Sequence, residues 1–117
     1  MRGTLTAILV VALSLGCAAV VVSAEEELFD TKTSAIHMEK GLHFLKLQKY
    51  DAAIQEFEQA VAAAPDAESH YLLGYAYYLK SKTGDGDARK KSMENFDSAY
   101  QINPNFSPSK FKLSEPI

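Results

Sequence analysis

The sequence predicts an all-α fold of two stacked helical hairpins, and three observations carry that prediction. Phe57, Ala60 and Pro65 recur as Phe96, Ala99 and Pro104, an aromatic with a small residue three later and a proline eight later. Gly41 with Phe44 recurs as Gly74 with Tyr77, a glycine followed three residues on by an aromatic. In both copies the glycine signature precedes the proline signature. A chain that repeats two helical signatures in the same order is built from stacked helix pairs.

The first helix spans Ser34 to Gln48, where Ile36, Met38, Leu42, Phe44, Leu45 and Leu47 fall around most of its circumference. Lys49-Tyr50-Asp51 makes a break. Ala53, Ile54, Phe57, Ala60, Val61 and Ala64 then step by threes and fours, as an amphipathic helix does, until Pro65 stops it. A third helix is expected from about Glu68 to Leu79 and a fourth from about Ala88 to Ile102. In the fourth, Met93, Phe96, Ala99 and Tyr100 hold the places of Ile54, Phe57, Ala60 and Val61.

The small residues have a mechanical reading. Gly41 and Gly74 remove the side chain where a neighbouring helix crosses, so that an aromatic ring can approach the backbone. Ala53, Ala60 and Ala99 do the same from the other helix. A glycine inside a helix costs about 1 kcal/mol relative to alanine, and close packing is the compensation.

These residues resemble the tetratricopeptide repeat. Gly41, Phe44, Tyr50, Ala53, Phe57, Ala60 and Pro65 match all but its first two signature places, where His37 and Lys40 replace the usual tryptophan and leucine. Leu73, Gly74, Tyr77, Phe96, Ala99 and Pro104 carry the second copy, with Ser92 where alanine is common. The resemblance implies a tetratricopeptide-type α-hairpin solenoid, with repeats at 34–66 and 67–106. Six residues are inserted between the helices of the second repeat, within 81–87. Their glycines and aspartates favour turns, and Asp87 is placed to cap the following helix. Residues 107–117 form a short capping segment, in which Ser107-Pro108 reads as a helix start and Phe111 and Leu113 fold back onto the fourth helix until Pro116 halts it.

In this family the first helix of each pair lines a concave groove. The resemblance places Met38, Leu42 and Leu45 on that surface in the first repeat, and Tyr71, Tyr75 and Tyr78 in the second. Tyrosine and methionine suit a peptide groove; the same tyrosines would equally be covered by the C-terminal segment or by a second chain. Domains of this family that grip a terminal carboxylate use basic and asparagine residues there, and Met38 and Leu42 argue against that mode. The partner implied is another protein, presenting a peptide or a helix. Two repeats leave apolar faces at the ends of the stack, so a homo-oligomer is an alternative, in which the repeats bury themselves against copies of the chain as a structural subunit.

The N-terminus reads as a targeting segment. Arg2 precedes an uncharged run from Leu5 to Val22, small residues lead to a cut after Ala24, and Glu25-Glu26-Glu27 opens an acidic linker over 25–33. This pattern describes a secretory signal peptide over 1–24, and a run of about 18 to 20 apolar residues also spans a bilayer as an uncleaved anchor. Either way the domain is expected outside the cytoplasm: periplasmic, secreted, or held at the membrane by 5–24. Cys17 is the single cysteine. Only Gly16 before it fits a lipoprotein signal, and a cut after Ala24 leaves no thiol or disulfide chemistry.

Composition narrows the partner classes. Without Arg2, eleven basic residues face fifteen acidic ones, and no basic stripe is present to neutralise a phosphate backbone, so nucleic acid is not expected. Lys80, Lys82, Arg89, Lys90 and Lys91 form a local basic rim that reads as solvated surface or as a contact for an acidic partner or lipid headgroups. Asp85-Gly86-Asp87 lacks the remaining ligands of a calcium loop. His37, His43 and His70 have no second ligand at metal-binding spacing. No nucleophile, base and orienting group assemble, so the expectation is a non-enzymatic binding scaffold without cofactor or metal; a ligand- or metal-binding loop at 83–87 is the weaker alternative.

Overall fold

The computed structural model describes residues 29–111. The expected targeting segment over 1–24, most of the expected acidic linker, and Leu113 and Pro116 of the expected capping segment lie outside the described residues. Four helices follow in order: α1 (Thr31–Lys46), α2 (Tyr50–Ala63), α3 (Ala67–Ser81) and α4 (Gly86–Ile102), with a 3-10 turn at Pro108–Phe111. Helices α1 and α2 pack as one antiparallel hairpin and α3 and α4 as a second, with α3 also laid against α2. Among the described residues no strand is present, and no helix is long and apolar enough to cross a membrane.

Local chemistry sets each boundary. Helix α1 ends in a Schellman motif. Lys49 N–H donates to Phe44 O (2.9 Å), Gln48 N–H donates to Leu45 O (2.9 Å), and Gln48 takes a left-handed φ of 60°. Helix α2 stops before Pro65, whose ring cannot continue the ladder. Asp66 caps α3 reciprocally: its Oδ1 accepts from Ser69 N–H at 2.8 Å while its own N–H donates to Ser69 Oγ at 3.1 Å.

The inserted segment is shorter as a loop than its composition implies. Helix α3 continues to Ser81 and α4 already begins at Gly86. The cap of α4 is Asp85, whose Oδ1 accepts from Ala88 N–H at 3.1 Å, and Asp87 lies inside the first turn. The correction has a local cause: once Asp85 accepts the Ala88 donor, Gly86 and Asp87 can enter the helix.

Gly41 and Gly74 each lie against an aromatic ring of the following helix. A Cβ on Gly41 would overlap the ring of Phe57, and one on Gly74 would lie 2.8 Å from Phe96 Cδ1 and 3.1 Å from the Ser92 carbonyl oxygen. Ala53, Phe57, Ala60, Leu72, Ala76 and Ala99 are fully buried. One cluster joins Ala53, Ile54 and Phe57 of α2 to Leu72, Leu73, Ala76 and Tyr77 of α3; this is where the two hairpins adhere. Helix α1 is pinned to α2 by Ser34, which is buried and donates through Oγ to Ala60 O at 2.9 Å.

Candidate protein-interaction surface

The first helices of the two hairpins, α1 and α3, carry the residues expected to line a groove. Met38, Leu42 and Leu45 are half-buried on α1, and Leu45 packs against both core clusters. On α3 the three tyrosines form a continuous stack. Tyr71 and Tyr75 lie 6.5 Å apart and nearly parallel, and Tyr75 and Tyr78 lie 6.4 Å apart. Their exposure differs. Tyr71 is 7% exposed and Tyr75 4%, whereas Tyr78 is half-buried, with Lys82 Nζ 5.5 Å from its ring centre.

Tyr71 is held in a cage of rings: Phe96 at 5.0 Å, Phe106 at 5.3 Å and Tyr100 at 6.4 Å. Phe106 in turn meets Phe111 of the 3-10 turn at 6.1 Å. The C-terminal segment thus lies over the N-terminal half of the tyrosine stripe, and Tyr78 is the member left partly open. Burial is the main reason that the Tyr71 hydroxyl is pushed up to about 12, with Tyr100 and Tyr75 adding to it. Phe106 carried no repeat signature in the sequence. It lies in the irregular segment between α4 and the 3-10 turn, two residues before Pro108.

Polar contacts repeat between hairpins as the apolar ones do. His37 Nδ1 lies 2.8 Å from Glu56 Oε1, and His70 Nδ1 lies 3.0 Å from Asn95 Oδ1. His70 follows His37 by the same step that separates Gly74 from Gly41, and Asn95 follows Glu56 by the step that separates Phe96 from Phe57. These pairs are structural. Among the described residues no group of three His, Cys, Asp or Glu is placed to hold a metal.

Two members of the basic rim are paired. Lys80 Nζ sits 2.7 Å from Asp51 and 3.7 Å from Asp85, tying the starts of α2 and α4 to the end of α3. Lys91 pairs with Asp87 at 3.9 Å and lies over the Tyr77 ring. An open hollow of about 340 Å³ lies between the start of α2 and Lys80, walled by Gln48, Tyr50 and Thr83.

Residues 38–86 match the tetratricopeptide repeat family model. The match runs from Met38 through both glycine crossings to the start of α4. The match identifies a tetratricopeptide-repeat segment within this chain, over residues 38–86. No curated protein and no solved structure matches it. Tetratricopeptide repeats act generally as protein-interaction units, which gives the matched segment that general character. Within the repeat pattern, His37 and His70 both stand at the tryptophan position, and each substitutes a hydrogen bond to the second helix for the apolar burial that tryptophan would supply.

Proposed function

We propose that the chain is an adaptor of the cell envelope that holds a peptide or helix of another protein along α1 and α3. The observation that carries this reading is the row of tyrosines, which runs along α3 from the buried Tyr71 to the half-open Tyr78, with Leu45 of α1 packed against the cluster of Tyr71 and Tyr75. Such a surface offers broad apolar contact with hydroxyls at its edge, the composition that peptide-binding surfaces favour. Tyr71 and Tyr75 serve as its rigid floor and Tyr78 as its contact. The envelope location rests on the apolar run from Leu5 to Val22 and on the acidic residues that follow.

The test is capture from envelope extract by the full-length chain, alongside Tyr78→Ala and Leu42→Lys variants whose melting temperatures are measured in parallel. The reading expects one partner to be retained by the parent and lost by both variants at unchanged stability. Capture that neither variant alters would place binding elsewhere. Intact-mass measurement of the native protein addresses the location: a chain beginning at Glu25 marks export with cleavage, a retained Met1 in the membrane fraction marks an anchor, and a soluble full-length cytoplasmic chain contradicts both.

A further inference from the structure

The second helix of each repeat turns one face towards whatever comes next in the stack, and the two repeats differ in what meets it. Ile54 of α2 is covered by α3 and is 6% exposed, whereas Met93 holds the same place in α4 and is 60% exposed. Tyr100, in the place of Val61, is also exposed, and Phe96 is half-buried beside it. Gly86, Met93 and Tyr100 recur every seven residues and so share one line along the helix, the spacing of a helix-pairing seam. Arg89 and Asp97 flank that line at four residues before and four after Met93, both exposed. Neither forms an ion pair among the described residues.

The other end of the stack is different. The places that Leu72, Leu73 and Ala76 fill in α3, buried against α2, are held in α1 by Glu39, Lys40 and His43, all exposed. The middle of the α1 end is therefore polar, with Ile36 and Leu47 exposed on the same face nearer its two ends. Head-to-tail stacking of two copies would press Met93 and Tyr100 against those polar groups, which disfavours an open filament and leaves a closed pairing of like ends.

We infer that the outward face of α4 is a homodimer interface, in which two copies pair antiparallel about a two-fold axis at Met93. In that register a residue n places after Met93 faces the residue n places before it in the second copy. Asp97 then meets Arg89, and symmetry makes the pair twice. Tyr100 meets Gly86, where a Cβ would find nothing within 4 Å, so the missing side chain leaves room for a ring. Met93 meets Met93, a flexible apolar pair suited to a seam. The charge pattern is thus self-complementary in the antiparallel arrangement. The inference does not depend on the groove of α1 and α3, because it concerns the face of a different helix.

Sedimentation of the full-length chain in mild detergent, across a range of concentrations, tests it with a charge exchange. Arg89→Asp alone and Asp97→Arg alone each place two like-charged pairs at the seam, and each should weaken dimerisation by roughly tenfold or more. Mixing these two variants should restore a dimer that contains one of each, since every facing pair is then of opposite sign. Arg89→Asp/Asp97→Arg in one chain should restore the homodimer. Met93→Lys should give a monomer with the parent's helical circular dichroism. A parent chain that stays monomeric, variants that remain as dimeric as the parent, or failure of the mixture to pair would each overturn the inference. Association through the N-terminal apolar run or through the groove would be blind to the charge exchange.

Discussion

His37 Nδ1 stands 2.8 Å from Glu56 Oε1 and ties α1 to α2 at the place where the repeat usually buries a tryptophan. Both side chains are about one-quarter exposed, so the bond is screened only in part. A hydrogen bond of this kind contributes about 0.5–1.5 kcal/mol net. His37→Ala and Glu56→Ala are each expected to destabilise the fold modestly, and the double variant less than the sum of the two. A denaturation cycle over the four proteins measures the coupling. Strict additivity would mean that the contact carries no stability.

Gly74 should not tolerate a side chain. A Cβ there meets the Phe96 ring at 2.8 and 2.9 Å and the fixed carbonyl of Ser92 at 3.1 Å. Helix propensity alone would reward replacement of a helical glycine by about 1 kcal/mol, so the two effects oppose and the clash decides the sign. Gly74→Leu is expected to destabilise by about 1 to 3 kcal/mol or more, read as a lowered melting temperature. An unchanged or raised value would remove the crossing from the account of the fold.

The extent to which the sequence reveals this follows the range of each signal. The glycine crossings are legible because glycine, aromatic and alanine recur at fixed steps along single helices. The stop at Pro65 is legible because proline chemistry acts within a few residues. The exposure of the tyrosine stripe is not. Periodicity places Tyr71, Tyr75 and Tyr78 on one line, but whether that line is open depends on Phe106 and Phe111, some 30 to 40 residues downstream. The inserted loop misleads for a related reason, since Asp85 and Asp87 are equivalent as caps until the length of α3 is known. The contact of His70 with Asn95 is not legible, because histidine announces no particular partner; only its register with His37 points to it.

Tyr71 behaves as core. It is 7% exposed and enclosed by Phe96, Tyr100 and Phe106. Tyr71→Ala should cost about 3–5 kcal/mol, the range for truncating a buried aromatic. Phe106→Ala should cost less, because Phe106 is only half-buried, while opening Tyr71 to solvent. Chemical denaturation gives the two costs, and acrylamide quenching of tyrosine fluorescence reports the opening. If Phe106→Ala leaves quenching unchanged, the C-terminal segment does not cover the stripe in solution.

Alkaline pH provides a test that touches the tyrosines without replacing them. The Tyr77 hydroxyl is pushed up to about 12, first by burial, then by its 3.0 Å hydrogen bond to Glu58 Oε2 and by the charges of Glu58 and Asp87. Tyr71 is pushed to about 12 chiefly by burial. An unfolded tyrosine releases its proton near 10. Below that value both states keep the proton, and these residues add no pH dependence. Between about 10 and 12 the unfolded chain has lost protons that the folded chain retains, so stability falls as pH rises. Unfolding free energy measured from pH 8 upward should therefore be level with respect to these groups to near pH 10 and decline beyond it. Tyr77→Phe removes one of the two titrations and should make the decline shallower than in the parent. It also gives up the bond to Glu58, which lowers the plateau but not the slope. A parent and variant that fall in parallel above pH 10 would show that Tyr77 ionises as freely in the folded chain as in the unfolded one, and that its contact with Glu58 does not form.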